Sequence, residues 1–223
     1  MTPDSRRFEA VLFDLDGVLT DSEPWWDQVR VEFARLHERP WTHEDQVAVM
    51  GANSRQWAAT MRTRLALQDL DEAAIERAVV DGVVGLYRTA PSPVIAGATD
   101  AVRRIARQLP VAIASSAHRE VIEAAIEALG LHDVFGAVVS SDEVAHGKPA
   151  PDVYLLAAER LGVAPAGCLV VEDSLKGVQA GKAAGMFVVL VPNASVPPAP
   201  PADALADLVL PALADLDPLR IPA

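Results

Sequence analysis

The chain has 223 residues and one cysteine, Cys168, so no disulfide can form within it. Cys168 sits in the apolar run CLVV, where a free thiol behaves as a small buried hydrophobe. Basic residues are also scarce: 19 Lys and Arg stand against 31 Asp and Glu, giving a net charge of −12. That balance excludes general binding to nucleic acid or to an acidic membrane, both of which need basic surface. It leaves room for a small anionic substrate, because one lysine and one metal ion can invert the field locally. Long apolar runs are missing too. No window approaches about 18 uninterrupted apolar residues, so no transmembrane helix is expected. The opening MTPDSRRFEA lacks the apolar stretch of a signal peptide, and the cytoplasm is the simplest expected compartment. There is no internal repeat, and a monomer is the default expectation.

The composition is 51 % hydrophobic, enough for a full core. Five short apolar, β-branched-rich runs read as buried strands: Ala10–Phe13, Val111–Ala114, Ala137–Val139, Leu169–Val171 and Phe187–Val191. Asp207–Leu210 is a weaker sixth. Helical patterns separate the later runs. Val121, Ile122, Ala125, Ile126 and Leu129 share one helix face that Gly130 can end. A second helix is expected over Pro149–Leu161, stopped by Gly162. Alternating strands and helices predict an α/β fold, a Rossmann-like doubly wound parallel sheet. Between the first two strands the pattern is helical throughout. Trp25, Val29, Phe33 and Leu36 share one face, and further helices are expected near Glu44–Val49, Ser54–Leu67 and Glu72–Tyr87. The expected organisation is a catalytic core of residues 1–22 and 93–223 with an α-helical cap of residues 23–92. The segment VPPAPP, Val196 to Pro201, reads as an extended tail.

Strand ends of open parallel sheets are where functional groups gather. The first strand delivers Asp14 and Asp16 into a turn marked by Gly17. The second ends at Ser115 and Ser116. A loop after the third carries Lys148, and the fourth ends at Glu172 and Asp173. Each alone has a plain structural reading: a turn pair, a cap serine, a solvated lysine, acids at a helix N-terminus. Together they suit phosphoryl transfer. A carboxylate can attack phosphorus, and the acids supply the oxygen ligands that Mg²⁺ prefers. Lysine and serine can hold phosphoryl oxygens as charge builds. A second acid can shuttle the proton.

These motifs, DLDGV from Asp14, Ser115 after an apolar strand, Lys148 in GKPAPD, and Glu172–Asp173 before Ser174, resemble those of the haloacid dehalogenase superfamily over nearly the whole chain. The resemblance implies Asp14 as nucleophile and Asp16 as general acid and base. It implies phosphate binding by Ser115, Ser116 and Lys148. Mg²⁺ would be held by Asp14, the Asp16 carbonyl and Asp173, with Glu172 in the same shell or just outside it. Within the superfamily, DLDGVLTDSEPWWD resembles the helical-cap group of sugar phosphatases and β-phosphoglucomutases, most of all the 2-deoxyglucose-6-phosphatase type. The implied activity is Mg²⁺-dependent hydrolysis of a small phosphorylated metabolite, a sugar or polyol phosphate. A phosphomutase is the alternative. However, the mutases typically carry histidine where this chain has Trp26, and they use a cap lysine, which residues 23–93 lack. A non-catalytic binding protein on the same fold is a second alternative, against which the intact acid set argues. The dehalogenases lack an acid equivalent to Asp16.

Cap residues are candidates for specificity. Glu23 lies just past the catalytic turn and could touch a sugar hydroxyl, and Trp26 could wall the pocket or belong to the cap core. Asn53 and Arg55 occupy a possible specificity loop. His118 and Arg119 could reach a distal substrate group, although a surface role at a helix start is the plainer reading.

Overall fold

The computed structural model describes residues 8–49 and 54–221, the side chains of residues 54 and 55 excepted. Strands β1 (Ala10–Phe13), β2 (Val111–Ser115), β3 (Ala137–Ser140), β4 (Cys168–Glu172), β5 (Phe187–Leu190) and β6 (Leu208–Val209) form one sheet in the order β3-β2-β1-β4-β5-β6. Every pairing is parallel. All six expected runs are strands, with ends shifted by a residue or two.

The central strands are buried on both faces, which is why they read as continuous apolar runs. Val11 and Phe13 of β1 face one core with Val102 and Ile105 of α5 (Ala98–Ala106) and Val121 and Ile122 of α6 (Arg119–Ala128). Ala10 and Leu12 face the other with Val153 and Tyr154 of α7 (Asp152–Leu161) and Val178 of α8 (Leu175–Ala183). Each large apolar side chain buried this way contributes about 1.5–3 kcal/mol. Helix α7 starts at Asp152, three residues later than expected: Pro149 and Pro151 precede the helix, with Pro151 at the N-cap. Cys168 is fully buried, as expected of a core thiol.

Between β1 and α5 the described chain forms α1 (Glu23–Leu36), α2 (His43–Val49), α3 (Ser54–Arg64) and α4 (Glu72–Thr89). Asp71 caps α4 by accepting a 2.7 Å bond from the Ala74 amide, a local contact that fixes where the helix begins. The expected buried face of α1 needs correction. Trp26, Arg30, Phe33 and Ala34 are buried, whereas Leu36 is 65 % exposed and Trp25 and Val29 pack only in part. The face turns with the Arg30 guanidinium, which is drawn inward over the rings of Trp26 and Trp57, at 5.4 and 5.8 Å. No helix among the described residues is long and apolar enough to cross a membrane.

Parallel register places the candidate groups. Phe13 lies beside Ile113 and Val171, so the next residue, Asp14, falls level with Ala114 and Glu172. Ser115 and Glu172 end their strands at the same edge of the sheet. The order reverses around β1, which opens a crevice at the carboxyl ends of β1, β2 and β4.

Candidate active site

The turn after β1 is built tightly. The Gly17 amide donates to the Thr20 carbonyl at 2.7 Å, and the Leu19 amide to the Leu15 carbonyl at 2.8 Å. Gly17 has φ +84°, and a Cβ there would lie 1.9 Å from Asp173 Oδ2. Only glycine lets the turn approach the Asp173 carboxylate this closely. Asp16, in the same turn, accepts a hydrogen bond from the Ser22 hydroxyl. Burial raises the Asp16 carboxyl above the usual range, partly offset by Ser22.

Lys148 stands at the centre of the site. Its Nζ donates to Asp14 Oδ1 and to Glu172 Oε1, both at 2.6 Å, and its side chain is 5 % exposed. Glu172 is saturated with donors. Oε1 also accepts from the Tyr154 hydroxyl at 2.6 Å, and Oε2 accepts from the Asp173 amide, the Ser174 amide and the Ser174 hydroxyl. Asp173 is different: among the described residues no donor and no cation pairs with its carboxylate. Burial, with Glu172 and Asp14 beside it, pushes its pKa up to about 9. Burial likewise pushes Asp14 up to about 7, against the pull of Lys148. Glu172 stays below its ordinary value because Lys148 and Tyr154 outweigh its burial.

Oxygens of Asp14, Glu172 and Asp173 lie within 4.8 Å of one another. Among the described residues, Lys148 forms ion pairs with Asp14 and Glu172 but not with Asp173, whose carboxylate is desolvated by burial. A hard divalent cation fits that deficit, and all the available donors are oxygen. Asp173 is the acid free to bind it, whereas Glu172 already has its oxygens occupied.

Around these groups lies a cavity of about 480 Å³. Its floor holds Asp14, Asp16, Lys148, Glu172 and Asp173, and Ser115 and Ser116 form one side. Ser115 is buried and accepts from the Ala117 amide at 3.0 Å. Glu23 reaches the cavity from α1, its Oε1 accepting from Gln46 Nε2 at 2.8 Å, with Arg30 at 3.5 Å. Trp26 is buried within the helical insertion, edge-on to Trp57 at 6.4 Å and near Arg30, and its side chain also hydrogen-bonds the Asp16 carboxylate. Asn53 and the side chain of Arg55 lie outside the described residues. His118 stands at the N-cap of α6, the helix-start position expected of it, and is half-buried. It is wedged 2.9 Å from Glu76 of α4 and 2.9 Å from Asp142.

One wall was not anticipated. Val196, Pro197, Pro198 and Ala199 border the cavity. The segment is tied down because Asp21, at the start of the insertion, accepts from Asn193 Nδ2 at 3.2 Å and from the Ser195 hydroxyl at 2.6 Å. Proline-rich composition signals extended chain but not where that chain lies.

An acid pair after β1, a serine after β2, a buried lysine and an acid pair after β4, all at one edge of a doubly wound sheet, define a hydrolase site of the phosphoryl-transfer type. A family model for haloacid dehalogenase-like hydrolases matches residues 8–185, and the chain belongs to that family. It is 33 % identical over 183 residues to the fructose-1-phosphate phosphatase YqaB of Escherichia coli, covering 82 % of this chain and 96 % of that protein. It is 34 % identical to hexitol phosphatase B of the same organism, over 95 % of each chain. The structure of CbbY from Rhodobacter sphaeroides in complex with phosphate superposes with a TM-score of 0.83 at 28 % identity, covering 96 % of this chain and all of that one. These relatives place the chain among phosphoric monoester hydrolases.

Proposed function

We propose that this protein is a Mg²⁺-dependent phosphatase of a small sugar or polyol phosphate, working through a phosphoryl group carried on Asp14. The observation that carries the reading is Lys148, whose ammonium sits 2.6 Å from the Asp14 carboxylate inside a cavity of small-metabolite size. An ammonium so placed steadies the nucleophile and leaves an N–H for a phosphoryl oxygen.

Asp14 Oδ attacks phosphorus while the bond to the leaving oxygen breaks, and Asp16 gives that oxygen its proton. Water then attacks the phosphoryl-Asp14 as Asp16 takes a proton back, and the Asp14 carboxylate is regenerated. Ser115, Ser116 and Lys148 hold the remaining phosphoryl oxygens. Asp14, Asp173 and the Asp16 carbonyl are the groups that would hold Mg²⁺, with Glu172 just outside them. Bound there, the ion supplies charge neutralisation between nucleophile and phosphoryl group.

Residues 23–92 serve in this reading as a cap over the core of residues 1–22 and 93–223, excluding bulk water. Glu23 is the acid from that cap that meets substrate hydroxyls. The absence of lysine from residues 23–93 supports hydrolysis over return of the phosphoryl group to the substrate. A monomer acting in the cytoplasm fits the acidic chain. The test is phosphate release from a panel of sugar, polyol, nucleotide and short-acid phosphates, with Mg²⁺ and with chelator. Chelator-sensitive release from a sugar or polyol subset is expected. Release that ignores the chelator, or is confined to nucleotides, contradicts the reading.

A further inference from the structure

Tyr154 is the largest fully buried side chain near the site, yet it does not reach the cavity wall. It comes from α7, which packs beneath the sheet on the face away from the α5–α6 layer. A buried tyrosine at that place is ordinarily a core aromatic whose hydroxyl finds any convenient partner. Here the partner is Glu172, and the ring itself lies under Lys148, with Nζ 4.7 Å from the ring centroid. One side chain thus touches both members of the Lys148–Glu172 pair.

We propose that Tyr154 is a positioning residue for phosphoryl binding, acting on Lys148 through Glu172 and through its own ring face. Among the described residues, Glu172 Oε1 accepts from two groups, Lys148 and Tyr154. The three remaining bonds to Glu172 come from Asp173 and Ser174 and all end on Oε2. The tyrosine hydroxyl therefore sets the direction of the one oxygen that anchors the ammonium. The ring adds a cation–π contact that keeps Nζ from dropping away from the cavity. With two ammonium N–H groups on Asp14 and Glu172, the third is aimed for a phosphoryl oxygen. Gly177 makes room for the arrangement: a Cβ there would lie 1.8 Å from the Glu172 carboxylate. Asp173, the acid assigned to the cation, forms no hydrogen bond with Tyr154, so the effect falls on phosphate rather than on metal.

The inference deepens the phosphatase reading and rests on it. The test compares wild type with Tyr154→Phe, which keeps the ring and removes the hydroxyl, by calorimetric titration of inorganic phosphate in the presence of Mg²⁺. Loss of a hydrogen bond to a charged group predicts phosphate binding weakened about tenfold. The Mg²⁺ concentration giving half-maximal phosphate binding should change little, while the melting temperature should fall because Glu172 loses a buried donor. In a Glu172→Gln background the same Tyr154→Phe change should cost under about twofold, because the two residues act as one unit. Equal phosphate affinity in wild type and Tyr154→Phe overturns the proposal, as does a matching loss of Mg²⁺ affinity or an undiminished effect in the Glu172→Gln background. The readout is binding. A wild-type protein that binds phosphate but releases none from any ester contradicts the phosphatase reading, while the comparison of variants still decides the role of Tyr154.

Discussion

Lys148 Nζ lies 2.6 Å from Asp14 Oδ1 and 2.6 Å from Glu172 Oε1, joining the ends of two neighbouring strands through one ammonium. Replacing it by methionine keeps the apolar stem and removes the charge. Loss of one preorganised electrostatic group should cut kcat by about a hundred- to a thousandfold. Steady-state kinetics check this, and a fall of under tenfold would remove Lys148 from the reaction. The Glu172 carboxylate would also be left buried without its cation, so a lower melting temperature should accompany the kinetic loss.

Gly177 sits in the first turn of α8, where alanine would ordinarily gain about 1 kcal/mol in helix propensity. The opposite is expected here. A Cβ 1.8 Å from the Glu172 carboxylate must displace that carboxylate or the helix, and such overpacking costs about 1–3 kcal/mol. Thermal melting of Gly177→Ala should show a net loss, accompanied by a fall in activity. A variant as stable and active as wild type would show that Glu172 can move without consequence.

Glu23 tests the specificity argument. Its Oε1 is taken by Gln46 and Arg30. Glu23→Gln preserves the volume and removes the charge. For a polyhydroxyl phosphate, kcat/KM should fall about tenfold, the value of a hydrogen bond to a charged group. For an aryl phosphate without hydroxyls it should fall much less. Equal losses on both substrates would place Glu23 outside substrate recognition.

His118 links the helical insertion to the core, between Glu76 of α4 and Asp142, with Arg77 beside Glu76 paired to Glu120 of α6 at 2.6 Å. Burial and Arg77 lower its pKa, but Asp142 and Glu76 outweigh them and the net shift is upward. A raised pKa means that the contact is complete below the ordinary histidine value of 6.5 and is lost as pH rises through the raised value. The contact is partly exposed, so its worth is about 1 kcal/mol or less. Wild type should therefore melt above His118→Gln below pH 6.5, and the gap should narrow as pH rises beyond that value. A gap that widens with pH would contradict the assignment.

The sheet and the core of the site were legible because both follow from local pattern. Strands buried on both faces read as apolar runs, and parallel register brings whatever ends them to one edge. That is why Asp14, Ser115, Lys148 and Glu172–Asp173 could be assembled before any coordinates. The buried face of α1 departs from its apolar pattern because Arg30 counts as polar in any periodicity, while Trp57, one of the two rings beside it, comes from α3. Val196–Ala199 read as a tail because nothing local records the tether to Asp21. Nothing local in the sequence marks Tyr154. Its partner Glu172 is supplied by β4, and only the packing of α7 against β1, β2 and β3 brings the two together.

Borohydride trapping during turnover tests whether Asp14 carries the phosphoryl group. An aspartyl-phosphate is reduced to homoserine, and peptide mass spectrometry locates the modified residue. Reduction at Asp14 alone, dependent on substrate and absent from Asp14→Asn, is the predicted result. Phosphate release without reduction at Asp14, or reduction at another acid, would contradict it.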